Sequence, residues 1–231
     1  MPWCSVILPT LNEGTTLPIT LKALNGEWPG GNLQVIVVDG GSTDGTPELA
    51  RKWGATVITS APGRARQMNA GAAIATGSWL FFLHADTVPP SNLPLHLRAA
   101  AKKGFPACFF VRFDRQTESR WLRLFSRLSK FNIDVFRFGD QSLFLSREQF
   151  KTVGGFREHL QLLEGHDIVV RLREKTGNFN VINQVVTTSS RRYFTYGIVF
   201  TQLIFVLIFS GHRLGVAHST LLRIYRWAFP V

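Results

Sequence analysis

The chain has 231 residues, 45% of them hydrophobic. That suffices for one sizeable core and excludes a disordered polypeptide. Lys and Arg number 26 against 15 Asp and Glu, giving a net charge of +11 and a pI near 10.5; this favours anionic partners, whether phosphorylated substrates, acidic membrane surfaces or nucleic acid, and charge alone does not choose among them, although no recognised nucleic-acid-reading motif accompanies it.

The first half alternates between two kinds of segment. CSVILPT (4–10) reads as a strand and 15–25 as a helix. LQVIVVD (33–39) is a second strand, after which Thr46 and Pro47 open a helix as N-cap and first-turn proline. ATVITS (55–60) is a third strand, followed by a helix over 64–75, and WLFFLHA (79–85) is the fourth. Continuous apolar strands alternating with helices predict an α/β domain with an open, mostly parallel, doubly wound sheet.

The second half opens with a strand in ACFFVRFD (107–114). An amphipathic helix follows over 118–131, with Trp121, Leu124, Phe125, Leu128 and Phe131 on one face and Arg120, Arg123, Arg127 and Lys130 on another. QSLFLS (141–146) is strand-like and a short helix precedes Gly154. Another helix follows EGHD, and FNVINQVVTT (179–188) is a late strand. From about Tyr196 the chain reads as a helical, membrane- or partner-facing extension. The expected organisation is a domain over 1–194 and an extension over 195–231 of the same compact unit. IVFTQLIFVLIF (198–209) is shorter than the roughly 20 residues that span a bilayer. A buried helix, an interfacial helix and a contact between copies of the chain all stay open for it.

Cys4 and Cys108 lie in apolar strands and read as reduced core residues, and the chain lacks the Cys and His spacing of a zinc site. No basic segment followed by an apolar run opens the sequence, so a secretory signal is not expected. Both points suggest a cytoplasmic protein.

In open α/β sheets, ligands bind at the carboxyl ends of the strands. PTLNEG follows the first strand, which is neither a dinucleotide fingerprint nor a Walker loop. In VVDGGSTDGT (37–46), Asp39 ends the strand, Gly40 and Gly41 allow a ligand close to the backbone, and Asp44-Gly45 turns the chain. A well-capped strand–turn–helix connection is the plain alternative. In GRARQMNAGA (63–72), Arg64 and Arg66 open a helix where its dipole favours phosphate. Asn69 and Gly71 both lower helix propensity, so something other than propensity places them there. Five apolar residues from Trp79 to Leu83 end abruptly in His84, Ala85 and Asp86. A carboxylate at that point is either a turn residue or the edge of a site.

Together, SVILPTLNE, VVDGGSTDGT, GRARQMNAGA, LFFLHADT, GDQSLFLSREQF, GGF and LLEGHDIVVRLR resemble, in that order, the family-2 glycosyltransferases with a GT-A nucleotide-binding domain. The nearest likeness is to a small bacterial subgroup bearing FLHADT and a late TS-x-RR-aromatic motif. The resemblance runs from about Ser5 to Tyr193. It implies an inverting transferase that moves a sugar from a nucleotide-diphosphate donor, UDP-linked rather than GDP-linked, to an acceptor hydroxyl. Asp86 would hold Mn²⁺ or Mg²⁺ against the diphosphate, with His84 standing at the first acidic position of that motif, either as a nucleotide contact or as packing. Pro9, Thr10 and Glu13 would line the nucleoside pocket, Asp39 would meet the base and Arg64 would lie near base or phosphates. Arg191 and Arg192 would neutralise the diphosphate from a mobile loop.

The departure from the family pattern is at the catalytic base, because Gly165 stands where the usual Asp belongs. Glu164 and Asp167 are three positions apart and either can take over, with Asp167 favoured and Glu164 beside it. A nucleotide-sugar-binding protein without transfer is the competing expectation. A lipid-linked acceptor and peripheral attachment to the anionic inner face of the plasma membrane would account for the arginine-flanked apolar helices.

Overall fold

The computed structural model describes residues 2–25, 33–133 and 142–230. Strands β1 (Cys4–Thr10), β2 (Leu33–Asp39), β3 (Thr56–Thr59) and β4 (Trp79–Phe82) are all parallel. Between them run helices α1 (Leu17–Leu24), α2 (Thr46–Lys52) and α3 (Arg64–Ile74). A two-residue strand β5 (Thr87–Val88) and helix α4 (Leu93–Lys103) lead to β6 (Ala107–Phe113), a short 3-10 turn and α5 (Arg120–Leu128). Then come β7 (Leu143–Ser146), α6 (Arg147–Thr152), α7 (Glu164–Thr176) and β8 (Asn180–Thr188). Helices α8 (Arg191–Tyr196), α9 (Ile198–Arg213) and α10 (His218–Ala228) end the chain.

The sheet runs β3-β2-β1-β4-β7-β6-β8-β5. It is mostly parallel: β7 runs against both β4 and β6, and β5 runs against β8 at the edge. Helices cover both faces because alternate residues of each strand are apolar on either side. Val6, Leu8, Val37, Phe81, Phe109 and Phe144 point into one core layer with α1, α4 and α5. Ile7, Ile36, Val38, Leu80, Phe82 and Leu145 point into the other with α3, α6 and α7. The registers pair Thr10 with Asp39 and Asp39 with Thr59, so the loops leaving these strands share one edge.

Two residues that helix propensity disfavours are explained by packing. A Cβ on Gly71 would come within 2.5 Å of Ile7 Cγ2 and 2.9 Å of Val38 Cγ2, so only glycine lets α3 lie this close to the sheet. Asn69 holds Phe156 in both directions, donating to its carbonyl at 2.8 Å and accepting from its N–H at 2.9 Å.

The structure departs from the sequence reading at several places. Thr46 is the first helical residue of α2 and not its N-cap, because Gly45 takes the left-handed cap position at φ 80°. The fourth strand stops at Phe82, and Gln141 of the expected QSLFLS strand lies outside the described residues. α4 was not anticipated, although Pro94 in its first turn, Lys102 and Lys103 in its last and Gly104 at its C-cap are ordinary boundary signals. In α5 the packed side is Leu122 and Ser126; Phe125 and Leu128 are half-buried, and Trp121, Leu124 and Phe131 are exposed.

The C-terminal helices pack on the rest of the molecule. Ile204, Ile208, Leu221 and Phe229 form a small core with Leu162, and Tyr193 and Phe205 join the first layer. No helix among the described residues is long and apolar enough to cross a membrane.

Gly71→Ala is expected to lower stability by about 1–3 kcal/mol through overpacking, read as the urea midpoint. An unchanged midpoint would mean that α3 can retreat from the sheet at no cost.

Candidate active site

The loops after β1 and β2 are fastened to each other by their own polar side chains. The Asn12 N–H donates to Ser42 Oγ at 2.8 Å and the Thr43 N–H donates to Asn12 Oδ1 at 2.9 Å. The Gly14 N–H donates to Asp44 Oδ2 at 2.9 Å and the Glu13 N–H to Thr46 Oγ1 at 3.0 Å. Donation from Thr46 and then from Gly14 holds the Asp44 carboxyl below its usual range. Beneath these loops the buried Gln67 donates from Nε2 to the carbonyls of Thr10 and Val38, both at 2.8 Å. That single amide satisfies acceptors on two adjacent strands and ties their ends together.

Asp39 is buried and committed to its own turn. Its carboxylate accepts from the N–H groups of Gly41 and Ser42, both at 2.9 Å, and from the Ser42 hydroxyl at 2.5 Å. It therefore lies under the surface of the site and does not line it.

A cleft of about 540 Å³ opens at this edge. Pro9, Thr10, Glu13, Arg64, His84, Asp86, Arg191 and Arg192 all line it. The last two arrive through the sheet edge. β5 pairs antiparallel with β8, Thr87 opposite Thr188, and the Ser189 N–H donates to the Asp86 carbonyl at 3.2 Å. This pairing sets the segment leaving β8 beside the segment entering β5. Arg191 and Arg192 form the first turn of α8 and not a loop; the Ser190 N–H donates to Asp114 Oδ1 at 2.9 Å and anchors that turn.

Arg191 grips Glu13 with both guanidinium nitrogens, one of the bonds measuring 3.1 Å to Oε2, and comes within 3.7 Å of Asp86 Oδ2. Hydrogen bonding to Glu13 raises its pKa further, so it is a fixed positive charge. The Arg192 guanidinium lies 5.4 Å from the Phe229 ring centre and 5.6 Å from that of Tyr225.

A second cavity of about 400 Å³ adjoins the cleft and shares Arg64, Leu162, Arg192, Tyr193, Phe205 and Tyr225 with it. Glu164 and His166 line this cavity, among Phe113, Phe125, Leu128 and Ile208. Glu164 is 3% exposed and pairs with Arg64 Nε at 3.0 Å, which puts its carboxylate at the junction of the two spaces. Leu163, just before it, has φ 63°, a left-handed conformation rare outside glycine. That turn starts α7 at Glu164.

Asp167 points elsewhere. It accepts from Arg157 at 3.0 Å and from Arg171 Nη2 at 2.6 Å, and Arg171 in turn donates to the carbonyls of Val153 and Gly155. It lines neither cavity and fastens the Gly154–Gly155 turn to α7. The two acids thus diverge, since one turn of a helix gives a face two partners as readily as one.

The sequence reading missed Gln67, because glutamine is an ordinary helix residue and its burial shows only in the folded chain. It also missed Phe205, Leu222, Tyr225, Arg226 and Phe229, which make the C-terminal helices a wall of the cleft. Their aromatic and arginine composition was visible, but not the surface they face.

Residues 5–156 match the pattern of Glycosyl transferase family 2. The chain belongs to that family. Over 183 residues this family-2 chain is 32% identical to a PGL/p-HBAD biosynthesis glycosyltransferase of Mycobacterium bovis, an alignment covering 74% of this chain and 69% of the relative. Its fold is similar to that of S. aureus TarS 1–349 in complex with UDP-GlcNAc, with a TM-score of 0.67 and 16% identity over 81% of this chain and 58% of that one. It is also similar to the mannosyltransferase PcManGT of Pyrobaculum calidifontis in complex with GDP-Man and Mn²⁺, with a TM-score of 0.68 and 19% identity over 98% of this chain and 70% of the other. At such identities the likeness carries the fold alone, and the family-2 chain has the GT-A architecture.

Proposed function

We propose that the chain transfers a sugar, with inversion, from a nucleotide-diphosphate donor, UDP-linked by preference, to an acceptor hydroxyl. The observation that carries this reading is the cleft at the strand ends lined by Glu13, Asp86, Arg64, Arg191 and Arg192, with Arg191 held by Glu13 beside Asp86 and the buried Glu164 paired to Arg64. Anionic phosphates and a hard cation need this mixture of charges, and a neutral ligand does not.

Among the described residues, no group of three or more His, Cys, Asp or Glu could hold a metal by itself. One carboxylate completed by substrate phosphates is the usual arrangement for Mg²⁺ or Mn²⁺, so Asp86 fits a cation that comes with the donor. Bound there, a divalent cation would stabilise the charge growing on the leaving diphosphate. Pro9, Thr10 and Glu13 hold the nucleoside, with Asp39 shaping the turn beneath it and His84 at the wall. Arg191 exchanges Glu13 for the diphosphate, and Arg192 and Arg64 add charge beside it.

Glu164 removes the proton from the acceptor hydroxyl. The hydroxyl oxygen bonds to the anomeric carbon in line, and the bond from that carbon to the diphosphate breaks. The diphosphate keeps the electron pair and the proton passes to Glu164. Asp167 is the weaker candidate for base because Arg157 and Arg171 occupy both its oxygens. Gly165, at the position of the family's usual Asp, favours a second reading, a nucleotide-sugar-binding protein without transfer.

Attachment to an anionic bilayer belongs to the proposal. Val199, Leu203 and Leu207 on α9, Trp227 on α10, and Trp121 and Leu124 on α5 are exposed, and Arg120, Arg123 and Arg127 stand beside the last two. So much uncovered apolar surface marks an interaction site.

Asp86→Ala is expected to abolish the Mn²⁺ dependence of UDP binding, measured calorimetrically, with the fold intact; a dependence that survives would sink the assignment. Glu164→Gln is expected to lower kcat on the order of 10²-fold or more with donor affinity unchanged. Asp167→Asn should instead leave kcat near the parent's and lower the thermal midpoint. Equal turnover in Glu164→Gln and the parent would move the proton elsewhere, and donor binding without transfer or hydrolysis would favour the second reading. In sedimentation with vesicles, binding should rise with anionic lipid and weaken with salt, as exposed charges are screened over roughly 10 Å at 0.1 M. A chain that stays in the supernatant throughout would end the membrane part.

A further inference from the structure

We propose that the cavity beside the cleft receives the hydrocarbon chain of the acceptor, whose terminal hydroxyl then lies at Glu164. This rests on the transferase reading above and adds to it the chemical class of acceptor.

The chemistry of the walls points to this occupant. Most of the lining is apolar, with Phe113, Phe125, Leu128, Phe205, Val206 and Ile208 among its residues. Ser129, Tyr193, Gln202 and Glu164 among the polar groups already have partners within the protein. Ser129 Oγ accepts from the Val111 N–H at 3.0 Å and donates to the Ser126 carbonyl at 2.7 Å. The Tyr193 hydroxyl donates to Gln202 Oε1 at 3.3 Å. A sugar acceptor carries hydroxyls all round its ring and would leave those facing the apolar walls desolvated and unpaired. A hydrocarbon chain needs no partners. At about 400 Å³ the space lies within the range of roughly 300–1,000 Å³ typical of small-molecule sites.

Position supports the same occupant. At one end the cavity meets the donor cleft through Arg64, Arg192 and Tyr193, with Glu164 at the junction. Val206 lines it and is also 51% exposed, so the space reaches the surface of α9. The neighbours of Val206 along that surface, Leu203 and Leu207, are exposed too, as is Leu124 on α5, whose Phe125 and Leu128 line the interior. An apolar surface therefore continues inward to the base, and a chain drawn from a bilayer stays in apolar surroundings from membrane to reacting hydroxyl.

The test uses the full chain and the straight-chain alcohols 1-hexanol, 1-octanol and 1-decanol, with binding measured calorimetrically with and without UDP and Mn²⁺. Affinity is expected to tighten by about fourfold per methylene. Val206→Trp and Leu128→Trp fill the cavity from its mouth and from α5, and neither residue lines the donor cleft. Both should weaken 1-decanol at least tenfold while leaving UDP affinity unchanged. Asp86→Ala should do the reverse, losing metal-dependent UDP binding and keeping that of 1-decanol. Affinity that ignores chain length, or 1-decanol binding unaltered in both tryptophan variants, would overturn the proposal. So would methyl glucoside binding as tightly as 1-decanol and being lost in the same variants. Chain binding that persists in a parent protein showing no UDP binding would count against the transferase reading and support the cavity assignment.

Discussion

The short antiparallel pairing of Thr87 with Thr188 at the edge of the sheet is the contact on which the candidate site depends. It is two residues long, yet it sets the loop carrying Asp86 against the turn carrying Arg191. The Thr87 and Thr188 hydroxyls hydrogen-bond to each other at 3.0 Å, and the Thr20 hydroxyl donates to the Ala85 carbonyl at 2.8 Å from the α1 side. These buried polar contacts stiffen the strand end where the apolar run breaks. Without them, Asp86 and Arg191 would belong to separate loops of one surface. With them, a carboxylate and a guanidinium come within 3.7 Å of each other at the rim of one cleft.

The charges of the site sort into three groups by their surroundings. Glu164 is buried and its partner Arg64 reaches it from the cleft, so removing Arg64 would leave a buried carboxylate without that partner. Asp167 is shared between Arg157 and Arg171 and serves to hold a glycine turn on α7. Glu13 and Arg191 are different again, because Arg191 is half exposed and its pairing is open to exchange with an anionic ligand. A pairing of that kind costs little to break. The same residue types therefore act as interior support, as a fastener and as an exchangeable partner, according to depth.

The C-terminal helices join substrate binding to the surface of the protein. Phe205 and Tyr225 line both cavities, and Arg192 rests on their rings. The outward side of the same α9 carries exposed leucines and valines. A segment that composition alone leaves open as a buried helix, an interfacial helix or a contact between copies of the chain is thus part of the wall of both cavities.

Much of this architecture was legible in the sequence because local physics decides it. Continuous apolar strands alternating with helices require a sheet covered on both faces, and the strand-end loops must then gather at one edge. Asp86, Glu13, Arg64 and both late arginines could be named for that reason and for their likeness to a family pattern. Their mutual arrangement could not, because it follows from the pairing of β5 with β8 across a hundred residues of chain. The choice between Glu164 and Asp167 was equally closed to sequence. Both open the same helix, and what separates them is that Arg64 reaches one while Arg157 and Arg171 reach the other. Gln67 and Gly71 illustrate the same division. Propensity marks Gly71 as odd for a helix and gives no sign of Gln67, and the carbonyls that Gln67 satisfies and the side chains that crowd Gly71 come from strands that lie beside α3 only in the folded chain. Sequence determines the period and polarity of each segment; which side chains meet is decided by packing, because contact depends on distances that no single segment contains.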